Sequence, residues 1–226
     1  EKRQKVFSKL IRELTVAAKL GGPEPGDNPR LRLALDKALG ANMPKDTIER
    51  AIARGSGDQE AENLEETIYE GYGPNGVAII VETLTDNKNR TVAEVRHAFS
   101  KYGGSLGTDG SVAYLFTKVG QIVVENSNEE KIFDVSVSNG AEEVEKGDED
   151  NLIISVEAEE FHNLKNVLEE NEIKINQYEL IMKASNSVEL DDEASEKVIN
   201  LLESLEDLDD VQNVHSNAEF SEGSFA

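Results

Sequence analysis

The side chains that could do chemistry in this chain are few, and most fail the spacing that chemistry needs. His97, His162 and His215 stand far apart, and none has a second histidine at metal-ligand spacing. There is no cysteine, which excludes a disulfide framework, a thiolate metal site and a cysteine nucleophile, and fits a reducing compartment. No Ser-His-Asp order and no G-x-S-x-G elbow is present. The many carboxylates fall on the outer faces of expected helices, so paired acid–base catalysis has no positional support. No catalytic residue, no metal and no cofactor is expected.

What remains is basic. At roughly 100° per residue, Lys5, Lys9, Arg12 and Lys19 fall within an arc of about 80° on one expected helix. They form a stripe opposite that helix's apolar side. Arg30, Arg32 and Lys37 decorate a second helix, and Lys45, Arg50 and Arg54 a third. Cations so arranged suit phosphate contacts, which fix position without reading base sequence. A merely solvated helix face is the competing reading. Arg90, Arg96 and Lys101 belong to a later helix. Asn89 is read as its cap, and Arg90 either meets a phosphate at the positive helix end or pairs with a local carboxylate.

The stretch from Gly103 to Ser111 holds four glycines in its first eight residues. Glycine permits positive φ and close backbone approach. A phosphate cradle normally lies between a strand and a following helix. Here the order is helix, glycines, strand, and no lysine follows. The stretch is therefore read as a shaped loop, structural or partner-binding, rather than a nucleotide site.

The elements that must hold these residues follow from periodicity. Residues 2–20 place Val6, Leu10, Leu14 and Ala17 or Ala18 at helical spacing until Gly21-Gly22-Pro23 stops them. Asn28-Pro29 starts a second helix, with Leu31, Ala34, Leu35, Ala38 and Leu39 inward and Gly40 at its end. A third runs from Pro44 to Gly55 and buries Ile48, Ala51 and Ile52. Three short helices predict a small bundle over residues 1–56. An acidic linker is expected over residues 56–66.

Strands are then expected at 67–72, 77–84 and 111–116, with a helix at 91–102. Residues 117–183 read strand–helix–strand–strand–helix–strand, the ferredoxin-like order. A helix at 193–205 and a strand at 211–220 follow. The simplest assembly is α+β: residues 67–116 and 184–226 form one domain, and the ferredoxin-like domain 117–183 is inserted in it.

Charge is segregated along this plan. The whole chain of 226 residues carries a formal net charge of −23. Residues 1–55 hold 12 Lys/Arg against 7 Asp/Glu, whereas residues 117–226 hold 7 against 29. Such asymmetry can mark a polyanion-binding end on a solvating or protein-binding remainder; ordinary fluctuation of charge along an acidic chain is the competing reading. No apolar run approaches the roughly 18 residues that span a membrane. No secretory signal is visible, so a cytoplasmic protein is expected. Residue 1 is Glu, and the natural start is expected upstream.

Several strings together resemble the YebC/PmpR family, which includes the mitochondrial translational activators of cytochrome oxidase. They are EGYGPNGVAI at 70–79, TDNKNRTVAEVR at 85–96, Phe99, and GGSLGTDGSVAYLF at 103–116. Upstream, KLIREL at 9–14, NPRLR at 28–32 and DTIERAIARG at 46–55 also match. Over residues 120–183 only the pattern persists. The resemblance implies the same three domains, and no catalytic triad or cofactor. It also implies a basic Gly-His-Ser-Lys-Trp-like segment ahead of the first helix, which this sequence lacks.

Family members are described as DNA-binding transcriptional regulators, and relatives are tied to relief of ribosome stalling. A DNA-binding regulator is therefore expected, with nucleic acid, DNA or ribosomal RNA, as partner. The alternative is a ribosome-associated translation factor, and a third reading is a protein-interaction adaptor that uses the acidic half. No helix start clusters the Asn, Gln and Arg that read bases, and no strand carries RNP aromatics. No membrane partner is expected, and the oligomeric state is open.

Overall fold

The computed structural model describes residues 2–57 and 63–222. The central part of the expected linker, residues 58–62, lies outside the described residues. The chain divides into two compact units, Glu1–Tyr114 with Asn186–Ala226, and Leu115–Ser185.

The first unit opens with α1 (Lys2–Gly21), α2 (Pro29–Gly40) and α3 (Lys45–Ser56). Leu14, Ala17, Leu31, Ala34, Ile48 and Ala51 form their shared core. Asn28 builds the α1–α2 corner. Its Oδ1 accepts from Leu31 N at 3.1 Å, and its Nδ2 donates to Ala17 O at 2.7 Å and Gly22 O at 2.9 Å. The cap thus serves two helices at once. α1 and α3 approach closely because Gly55 has no side chain: a Cβ there would stand 2.1 Å from Thr15 O.

Two expected core residues are not in the core. Val6 is 48% exposed and Leu39 56% exposed. On α1 the inward row is Phe7, Leu10, Ile11 and Leu14, one position round from Val6. On α2 the row Leu31, Ala34, Leu35 and Ala38 points Leu39 away.

Next come β1 (Glu65–Tyr72), β2 (Ala78–Thr85), α4 (Lys88–Lys101) and β3 (Ser105–Leu106). α4 starts earlier than expected and its cap is Asn87, not Asn89: Asn87 Oδ1 accepts from Arg90 N at 3.1 Å. Thr85 Oγ1 in turn accepts from Asn87 N at 2.9 Å and holds the cap in place.

The second unit runs β4 (Phe116–Glu125), α5 (Glu129–Ser138), β5 (Ala141–Lys146), β6 (Asn151–Glu157), α6 (Phe161–Glu170) and β7 (Ile175–Ala184). Its sheet has the order β5-β6-β4-β7, all pairs antiparallel, which is the ferredoxin-like arrangement. Ile122, Val124, Leu152 and Ile154 point to one face and pack on Ile132 of α5 and Leu164 of α6.

The chain re-enters the first unit through β8 (Val188–Glu189), α7 (Asp192–Glu206), β9 (Val211–Ser216) and β10 (Ala218–Glu219). β9 pairs antiparallel with β2, giving the order β3-β1-β2-β9. α4 and α7 cover this sheet, with Val95, Phe99, Val198 and Leu201 against Ile79 and Val81. On the other face Leu84 packs with Val16 of α1 and with Leu64.

The expected strand at 211–220 breaks at Asn217, whose Oδ1 accepts from Ala78 N at 2.8 Å. Beyond it β10 pairs in parallel with β8 instead of β2. The expected strand at 111–116 does not form. Ala113–Leu115 is a 3-10 turn, and the strand begins at Phe116. Among the described residues no helix is long and apolar enough to cross a membrane.

Candidate nucleic-acid interface

α7 ends without a basic residue in its last turn. Its terminal carbonyls and the acids after it leave a concentrated negative end. α1 supplies the missing charge. Lys5 Nζ donates to Asp207 O at 3.1 Å, and Lys9 Nζ donates to Glu206 O. Partial burial lowers the Lys9 ammonium below its ordinary value, against the pull of Glu206. Arg12 Nη1 donates to Leu84 O at 3.0 Å and Asp209 O at 3.2 Å. The stripe expected on an open helix face is therefore docked on the chain's own acidic segment, apart from Lys19, which is exposed.

Asp210 is the knot in that segment. Its side chain is 1% exposed. It accepts from Arg12 Nη1 at 3.0 Å, from Arg90 Nε at 3.0 Å and Nη2 at 2.8 Å, and from Thr91 Oγ1 at 2.8 Å. Burial alone would raise the carboxyl; hydrogen bonds from Arg90, Thr91 and Arg12 outweigh it and hold the group below the ordinary carboxylate range. Asp210 and Asp86 raise the Arg90 guanidinium further.

Of the two readings open for Arg90, the carboxylate partner is the one present. Around the knot lies a shallow cleft of about 400 Å³ lined by Lys5, Arg12 and Arg90 but also by Asp86, Glu94, Asp207, Asp209 and Asp210. Three cations against five carboxylates make it unsuited to phosphate.

The other basic residues divide in the same way. Arg30 is held by Glu13 at 2.7 and 3.2 Å and by Glu66 at 2.6 Å. Arg32 donates to the carbonyls of Pro25 and Gly26. Lys45, Arg50 and Arg54 are exposed on α3. Lys45 meets Glu49 at 3.8 Å, and Arg50 Nε donates to Asp46 O at 3.3 Å, both within the helix. On α4, Arg96 and Lys101 are exposed, and Lys101 Nζ stands 5.4 Å from the Tyr102 ring centroid.

One organising residue gave no clear sequence signal. Glu70 is buried on β1, and its carboxylate accepts from the backbone N–H of Gly110 at 2.6 Å, Val112 at 3.1 Å and Ala113 at 2.6 Å. Burial raises its pKa, but these three donors more than reverse the shift, so the carboxyl lies below its ordinary value. This works against a ladder over residues 111–115: the Val112 and Ala113 amides are spent on Glu70, and Ser111 N donates to Thr108 O. Gly104 lets the loop enter, since a Cβ there would lie 2.4 Å from Tyr72 O. Tyr72 Oη donates to Ser111 O at 3.1 Å, and Tyr114 at the loop's end is 75% exposed. In the sequence Glu70 is one of three glutamates on its strand, with Glu65 and Glu66, and nothing local singles it out.

Of the histidines, His215 Nε2 lies 3.5 Å from Glu82 Oε1. Among the described residues no group of three or more His, Asp or Glu could hold a metal ion.

Comparison with known proteins finds relatives over nearly the whole chain. Residues 1–58 match the family model of the TACO1/YebC protein N-terminal domain, and residues 64–218 that of the TACO1/YebC second and third domain. A Pseudomonas putida protein named "Probable transcriptional regulatory protein" is 55% identical over 222 residues, 98% of this chain and 90% of that one. A Nitrosococcus oceani protein of the same name is equally similar over the same shares. A Coxiella burnetii protein, again so named, is 54% identical over 98% of this chain and 91% of its own. The crystal structure of a conserved hypothetical protein from Aquifex aeolicus superposes with a TM-score of 0.86 at 48% identity, covering 98% of this chain and 92% of that one.

Proposed function

The chain belongs to the TACO1/YebC family, and from that premise we propose that it is a non-enzymatic, cytoplasmic regulator of gene expression that binds nucleic acid through its N-terminal helices. The relatives' names support regulation of transcription. The observation that carries the nucleic-acid part is charge segregation. Twelve of the chain's 23 Lys/Arg lie in residues 1–55, while the rest of the chain is strongly acidic.

The outward cations Lys19, Lys45, Arg50 and Arg54, extended by Arg96 and Lys101, make the phosphate contacts in this reading. Lys5, Lys9, Arg12, Arg30, Arg32 and Arg90 hold the frame. The acidic remainder repels the same polymer, which orients the protein and limits nonspecific coating. The working division is a helical domain 1–56, an α+β domain 67–116 with 184–226, and an inserted domain 117–183.

A second reading, a ribosome-associated translation factor, is favoured by how the cations are presented. They are spread over helix surfaces, with no base-reading set clustered at a helix start. That suits an RNA backbone as well as a DNA one. Crosslinking in cells followed by sequencing of bound nucleic acid, with ribosome sedimentation in parallel, separates the two. Recovery of duplex DNA at discrete sites supports transcription, and recovery of ribosomal RNA with cosedimentation supports translation. Recovery of neither above background removes both.

A further inference from the structure

We propose that the helix-free face of the second unit's sheet is a docking surface for an extended, lysine-rich protein segment. This surface does not depend on the nucleic-acid reading above, which concerns other residues. Strand pairing sets Val119 opposite Ile181 and Val123 opposite Ile153. All four alternate with the residues that meet α5 and α6, and none belongs to that core. They form two apolar patches on the opposite side of the sheet, separated by the polar row Ser155, Gln121 and Glu179; Val119 is buried, and Val123, Ile153 and Ile181 are half-buried.

The rim of this face is acidic. By the same alternation Glu143 and Glu145 of β5, Glu157 of β6 and Glu179 of β7 share the face. The two glutamates on β5 crowd each other: a hydrogen bond to Glu143, then its negative charge, raises the Glu145 carboxyl. An arriving cation would relieve that repulsion.

The chain itself shows what fits. Lys183 on β7 reaches Glu143 on β5 at 2.9 Å. β4 and β6 lie between those strands, so the two side chains together bridge the open face, with the Lys183 ammonium on a carboxylate of the acidic rim. A lysine of a partner segment can lay its alkyl stem on the aliphatic patches and set its charged head on a rim carboxylate. A partner segment with lysines and aliphatic residues at alternate positions would repeat that contact along the sheet. Nucleic acid fits poorly. None of the face residues named here is aromatic, so bases have nothing to stack on, and the carboxylates repel phosphate.

The test uses the full chain, labelled with ¹⁵N, and a capped synthetic octapeptide of alternating lysine and valine. Controls are the alternating glutamate–valine peptide and an oligouridylate octamer. Amide shifts centred on Val119, Val123, Ile153 and Ile181 are expected with the lysine peptide alone. The combined variant Glu143→Gln, Glu145→Gln, Glu179→Gln should bind it about tenfold more weakly. Lys183→Ala, which frees Glu143 from its internal ion pair, should bind it about threefold more tightly. The spectra of both variants report folding directly. The proposal is overturned if the triple variant stays within about twofold of wild type, if lysine-peptide shifts scatter over the acidic surface elsewhere, or if the oligouridylate moves the same four amides.

Discussion

Arg12 and Arg50 stand on helices that pack together and look interchangeable in the sequence, yet the structure uses them differently. Arg12 is 25% exposed and spends its guanidinium on Asp210 and two carbonyls contributed by β2 and the segment after α7. Arg50 is exposed and, among the described residues, donates to a carbonyl one turn back on its own helix. The first kind of cation is part of the fold; the second stands exposed on its own helix. Basic content alone does not mark a binding surface. What separates the two sets is the acidic segment 206–210, which captures whatever part of α1 faces it.

The largest effect should come from Asp210. Asp210→Ala leaves two guanidinium groups and a buried hydroxyl without their shared acceptor. The expected loss is about 2–4 kcal/mol, the lower part because Arg90 is partly solvated. The midpoint of urea unfolding measures it. An unchanged midpoint would mean that Arg12 and Arg90 are not structural.

Glu70→Gln should cost about 1–3 kcal/mol, because two or three charge-assisted bonds to the 110–113 amides are weakened or lost. Hydrogen exchange at Gly110, Val112 and Ala113 should rise before the global transition. Both carboxyls are depressed in the folded state. Their contribution is therefore present above the ordinary carboxylate value of about 4 and is lost as pH falls through the lower folded value. Wild-type stability should drop on acidification below about pH 4, and the drop should be shallower in Glu70→Gln. Equal acid profiles for the two proteins would sink this assignment.

Lys9→Ala should cost less, about 0.5–1 kcal/mol, since it removes one cation from the C-terminal end of α7. Lys45→Ala should leave the urea midpoint where it is. If the two lysines prove equivalent, the distinction between inward and outward cations fails at its simplest point.

How much of this was legible from the sequence depends on the distance between partners. The Asn28-Pro29 start of α2 and the ferredoxin-like order of 117–183 rest on local chemistry and periodicity, and the structure has both. Asn87 and Asn89 are equally good caps on paper; Thr85 Oγ1 binding Asn87 N decides between them. Val112, Tyr114 and Phe116 alternate like a strand, but Glu70, some forty positions earlier, takes the amides a strand would need. The roles of Lys5, Lys9 and Arg12 depend on residues 206–210, nearly two hundred positions away. No local pattern on α1 carries that information.

The central claim is that the outward cations of the helical segment, and not the docked ones, meet phosphate. Its most direct test is the salt dependence of binding to duplex DNA and to purified ribosomes, for wild type and two variants. In one, Lys45, Arg50 and Arg54 become Ala; in the other, Lys5 and Lys9 become Ala. The outward triple variant should bind more weakly and flatten the slope of log affinity against log salt by about 2–3, at about 0.7–0.9 per lost contact. The docked pair should keep the wild-type slope and show its effect in stability. A wild-type slope and affinity in the outward variant, with the loss appearing in the docked one, would contradict the account.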